Sequence, residues 1–202
     1  MLNAFATKPN LRTASRLPTL AGEAGVTAAE VACLFACGAA AALAVGLIHY
    51  SFGIPGIAIL RGVLPIALGF AIVPRRSAGI TMSMGAGATA AAMNAAHLGE
   101  FQIPAMVGTL AFGPVLDFVL AGRPQGWRIY LRFGVAGATA NLIAFSAKFI
   151  AAYFGWHFPG SGRVTHFWSL ALGSFVLCGA LAGIISAIIW FRARVADDLR
   201  RN

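Results

Sequence analysis

The sequence predicts an all-α, polytopic membrane protein with six transmembrane helices and both termini on the cytoplasmic side. Three observations predict it. Of 202 residues, 59% are hydrophobic and only 10% charged, with a mean hydropathy of +0.80; a soluble domain carries about a quarter charged residues, because its surface faces water. Six apolar stretches, at 28–50, 56–73, 77–98, 103–122, 129–155 and 166–191, approach or exceed the roughly 20 residues that cross a hydrocarbon core of about 30 Å. The breaks between them, "SFGIPG", "PRRS", "GEFQIP", "GRPQGWR" and "WHFPGSGRVT", are turn-like.

Charge placement orients the six spans. With both termini inside, the cytoplasmic side holds Lys8, Arg12, Arg16, Arg75, Arg76, Arg123, Arg128, Arg132, Arg192, Arg194, Arg200 and Arg201. The outer side holds Arg163, and Arg61 and Lys148 fall within spans. Basic loops stay on the cytoplasmic side during insertion, so the net charge of +9 reflects topology and not nucleic-acid binding. Trp127, Tyr130 and Trp190 at inner ends, with Tyr50, Tyr153, Trp156 and Trp168 at outer ones, suit interfacial anchoring. The setting expected is a bacterial cytoplasmic (inner) membrane, with the bilayer as the chief contact surface.

Residues 1–26 contain no long apolar run and read as a cytoplasmic tail, with a mitochondrial presequence as the alternative. The membrane domain covers 27–192, and 193–202 forms a second cytoplasmic tail. Span one opens at Glu30, a favourable charge at a helix N-terminus, and carries Ala28, Ala32, Ala36 and Ala40 at spacing four. In span two, Pro65 removes a backbone donor and predicts a kink. Span three, "SAGITMSMGAGATAAAMNAAHLG", is almost all small residues and predicts a central, tightly packed helix. Asp117 at the inner end of span four and Arg132 at the start of span five predict an ion pair. Gly179 and Gly183 give span six a GxxxG packing face. Cys33, Cys37 and Cys178 lie in apolar runs and read as small hydrophobes, with neither disulfide framework nor zinc motif.

Charges within spans are costly and mark functional candidates. Arg61 and Lys148 both lie in the outer half of the bilayer, where snorkelling to the headgroups is one reading and capture of an anionic ligand the other. A carboxylate or phosphate would supply the missing counter-charge, and arginine grips either one bidentately. Asn94, His97 and Asn141 are placed to orient a bound molecule; His49, Tyr50, Glu100 and Trp156 complete the polar and aromatic set at the outer ends. No HExxH, Walker loop or GxSxG elbow occurs, so neither an enzyme activity, a metal nor a cofactor is expected.

The AxxxA pattern at Ala32 and Ala36, extended by Ala28 and Ala40, together with "PGIAILRGVLPIALGFAIVPRR" and "GPVLDFVLAG", resembles the substrate-binding S component of energy-coupling-factor vitamin transporters. The resemblance covers the whole chain in size and span count. It implies a membrane-embedded subunit that captures a small, vitamin-like solute from outside. It also implies docking of the alanine face on a T-type transmembrane subunit coupled to ABC-type ATPases. The chain lacks the N-terminal histidine motif of the cobalt and nickel branch. A structural or assembly subunit of a larger membrane complex, or a stand-alone small-solute or metal-ion carrier, are the competing expectations.

Overall fold

The structure, a computed structural model, describes residues 27–48, 56–98, 103–121, 127–155 and 167–200, with 103 and 192–200 as backbone only. Six helices and no strand occur among the described residues: α1 Ala28–Leu47, α2 Ile59–Ile72, α3 Ala78–Ala95, α4 Ile103–Leu120, α5 Arg128–Tyr153 and α6 Trp168–Arg200. Ala28–Leu47, Arg128–Tyr153 and Trp168–Phe191 are long and apolar enough to cross a membrane, while Ile59–Ile72 and Pro104–Leu120 are shorter apolar helices. Helix α6 runs past the apolar stretch, so residues 193–200, expected as a tail, are helical.

The helices close into a ring in the order α1, α3, α4, α5, α6, α2 and back to α1, with α2 also leaning inward on α3 and α4. Lipid offers little hydrophobic drive for helix association, so close backbone approach has to supply it. The glycines supply that approach at nearly every crossing. On α1 and α3, Gly38 lies against the Met82 carbonyl and Gly85 against Phe35. On α3 and α4, Gly79 and Gly113 face each other's carbonyls. On α5 and α6, Gly137 and Gly179 do the same, and Gly183 abuts Phe133. A Cβ at any of these points would collide with backbone, so even alanine forces the helices apart. The GxxxG expectation for span six is met here.

Helix α3 is buried along Ala78, Gly79, Met82, Ser83, Gly85, Ala86 and Met93 but leaves Ile80, Met84, Ala91, Ala92 and Asn94 exposed. It is a ring member packed on one side, and the inward position expected of it belongs to α2. Small residues allow close packing but do not say on how many faces it occurs. Phe133 on α5 is the hub of the largest core cluster. Its ring meets Phe70 of α2, Phe112 of α4 and Phe191 of α6 at centroid distances of 6.4, 6.4 and 5.4 Å. Large apolar side chains, among them Phe35, Leu43, Met84, Phe118, Leu131, Leu177 and Ile185, are exposed around the perimeter, which is compatible with a surface facing lipid.

Two helices contain proline, and in α4 a side chain from outside replaces the missing donor. Pro114 cannot donate to the carbonyl four residues back, at Leu110. The Ser83 hydroxyl of α3 donates to that carbonyl at 2.9 Å instead. In α2, Pro65 withdraws the donor owed to the Arg61 carbonyl, and the adjacent Leu64 carbonyl accepts from Trp190 Nε1 of α6 at 3.0 Å.

Candidate functional site

The end of the bundle at Ile48 gathers the described candidates. The end of α1, the start of α2, the end of α3 and the end of α5 meet there, because α1 and α3 run parallel and α2 and α5 antiparallel. Glu30 bonded to Arg75 near one end, with Ala42, Val45 and Ala86 clustered farther along, fixes the first relation. Asn141 against Gly56 and Phe133 against Phe70 fix the second. His49, Tyr50, Glu100 and Trp156 lie outside the described residues.

Arg61 is half-buried in the first turn of α2, and its guanidinium donates to the Ile48 carbonyl just past the end of α1. A helix C-terminus carries unsatisfied carbonyls and partial negative charge. The lone arginine of "GIAILRGVLP" therefore caps a neighbouring helix. One of its N–H groups is used in that bond, out of five on the guanidinium. Ile59, two residues earlier, points the other way, toward Gly108 and thus Ala144 of α5. Arg61 accordingly addresses α1 while the α5 side of α2 is apolar.

Asn141 is 2% exposed and donates through its amide nitrogen to the carbonyls of Gly56 at 3.1 Å and Phe175 at 2.6 Å. Gly56 has φ +89°, and a Cβ there would lie 2.9 Å from that nitrogen, so a glycine is required for the contact. Asn141 thus ties the entry of α2 to α6. Lys148 is half-buried on α5. Asn141, Ala144, Lys148 and Ala151 follow the 3-and-4 spacing of one helix face, and the other three are buried. The lysine therefore belongs to the stripe that faces the bundle.

Asn94 and His97 are exposed. His97 occupies the left-handed region at φ +53°. Its N–H bonds to the Asn94 carbonyl, and the N–H of Leu98 to that of Met93 at 2.8 Å. This is the Schellman arrangement that closes a helix, with histidine at the position glycine usually takes.

The opposite end is fastened by charges. Thr27 and Glu30 form a capping box at the start of α1, and Glu30 also pairs with Arg75 at 2.8 Å, joining α1 to the α2–α3 connection. Asp117 and Arg132 do not take up the pairing expected of them. Asp117 accepts from the Gly79 and Ile80 amides at 3.0 and 2.8 Å, capping α3 from α4. Arg132 donates to the Val119 carbonyl at 2.7 Å, capping α4 from α5. Each side chain is spent on a helix terminus, where unsatisfied N–H or C=O groups are available. Sequence spacing held no sign of this, whereas proline at 114 did signal that a donor such as Ser83 had to come from outside α4.

No family model, curated protein or solved structure matches the chain. The geometry must carry the reading alone. Among the described residues, no three His, Cys, Asp or Glu side chains stand together as metal ligands. Ala28, Ala32, Ala36 and Ala40 are all exposed, on the side of α1 away from the buried Leu34, Gly38, Ala41 and Val45. The alanine stripe thus takes no part in packing this bundle.

Proposed function

We propose that the chain is a six-span, N-in/C-in subunit of a bacterial inner-membrane importer, of the energy-coupling-factor S type, that captures a small anionic solute at the Ile48 end. The single observation that carries the reading is Lys148: a cation half-buried on the bundle-facing stripe of α5. A basic residue half-buried in a lipid-embedded bundle marks a functional position, and its ammonium attracts an acidic group. Arg61 lies at the same end of the bundle but addresses α1, so the capture step rests on Lys148. The exposed alanines of α1 support docking on a T-type membrane subunit that borrows energy from ABC-type ATPases. The chain itself then performs no catalysis.

Native mass spectrometry of protein purified in mild detergent tests the capture step. A small acid should co-purify with the wild type and fall at least tenfold in occupancy in Lys148→Met. Equal retention by the variant would remove the pocket.

A second reading, an assembly subunit with no ligand, is favoured by one specific observation. The polar side chains that sequence reasoning placed in the pocket bond to backbone instead: Arg61 to Ile48, and Asn141 to Gly56 and Phe175. The two readings separate in the same experiment, because an assembly subunit should bring down a protein partner but no small molecule.

A further inference from the structure

We propose that Cys33, Cys37 and Met82 form a three-sulfur site for a soft monovalent metal ion of the Cu(I) class, between α1, α2 and α3. Cys33 and Cys37 are one turn apart on α1, on the side that packs on the core. Both are free, and neither is exposed. Met82 of α3 is fully buried in the same core cluster. Its sulfur sits over Gly69 of α2, where a Cβ would collide with it and would lie 3.2 Å from Cys37 Cβ. The bare glycine thus leaves room for a thioether and a thiol side chain to approach the same point from two helices.

The donor set determines which ion is suited. Thiolate and thioether sulfurs are soft ligands that select Cu(I) over harder cations. Zinc takes four ligands in structural sites, and no third thiol, imidazole or carboxylate joins the two cysteines among the described residues. Charge points the same way. An uncompensated ion within a lipid-embedded bundle is strongly disfavoured. One thiol losing its proton to solvent makes a thiolate that neutralises a single positive charge, leaving the second thiol and the thioether as neutral donors. Binding therefore forms metal–sulfur bonds, releases one proton and transfers no electron. A divalent ion would need both protons removed to reach neutrality. The site lies near the Thr27 end of the bundle, away from Lys148, and stands independently of the solute-capture reading.

Silver(I), a redox-inert analogue, is the probe. Full-length protein in detergent is titrated with Ag(I) against a competing thiolate chelator, and bound metal is counted by native mass spectrometry. One tightly held ion is expected. It should protect two of the three cysteines of the wild type from a maleimide and release about one proton per ion. Met82→Leu, which keeps the volume of the buried side chain, should weaken binding tenfold or more; Cys178→Ser should leave it unchanged. Equal affinity in Met82→Leu, or binding abolished by Cys178→Ser, would overturn the site. The maleimide pattern on unaltered protein decides the matter if the Met82 variant does not fold: three reactive thiols in the presence of bound silver would exclude coordination by Cys33 and Cys37.

Discussion

At the residue scale, His97 illustrates a side chain whose backbone matters most. A left-handed φ is costly for any residue with a Cβ, and glycine relieves it. His97→Gly should raise stability by about 0.5–1 kcal/mol, read as a higher melting temperature in detergent. A lower one would mean that the imidazole makes a contact worth more than the relieved backbone. The Glu30–Arg75 pair offers a second measurement. Its two side chains are 20% and 15% exposed, so solvent screens them only in part. A double-mutant cycle with Glu30→Gln and Arg75→Gln should return a coupling of about 1 kcal/mol, shrinking as salt is added. Much of this was open to sequence reading on one side only. Glu30 was recognisable at a helix start, whereas its partner 45 positions away was not. Arg61 was legible as an anomaly, but the carbonyl it caps becomes its neighbour only when α1 and α2 fold side by side.

At the scale of elements, the proline in α4 and the serine in α3 are two halves of one device. Ser83→Ala leaves the Leu110 carbonyl buried without a donor and should cost about 1–3 kcal/mol. In a Pro114→Ala background, α4 regains its own N–H, so the same serine substitution should cost markedly less. Additive effects, measured by denaturant or heat, would show that the hydroxyl is incidental. Helix existence was readable from hydropathy alone, since each apolar run is bounded by glycine, proline and charge. The relation of the helices was not. Gly79 and Gly113, or Gly137 and Gly179, are just small residues until their partners are known, and the abundance of alanine and glycine in span three suggested burial all round when only one face is covered. Three-and-four spacing puts Lys148 on one face with Asn141, but only the burial of Asn141, Ala144 and Ala151 shows that this face turns toward the bundle.

For the molecule as a whole, the aromatic hub and the apolar perimeter make separate demands. Phe133 bridges α2, α4, α5 and α6, so Phe133→Ala should destabilise the bundle by about 3–5 kcal/mol without altering solute occupancy in the protein that remains folded. The exposed stripe of α1 makes the opposite prediction. Ala36→Leu should leave thermal stability within about 0.5 kcal/mol of wild type, as substitutions at exposed positions do, and, if the proposed docking holds, abolish recovery of a membrane partner. A large loss of stability would instead assign that face to the fold. The ring order also bears on how the chain is made. Helix α2 lies between α1 and α6, and Trp190 reaches it across 126 positions. During synthesis one flank of α2 must therefore wait until α6 has left the ribosome. That flank stays uncovered until α6 arrives, so ribosome stalling or truncation before Trp168 should yield a product that is rapidly degraded.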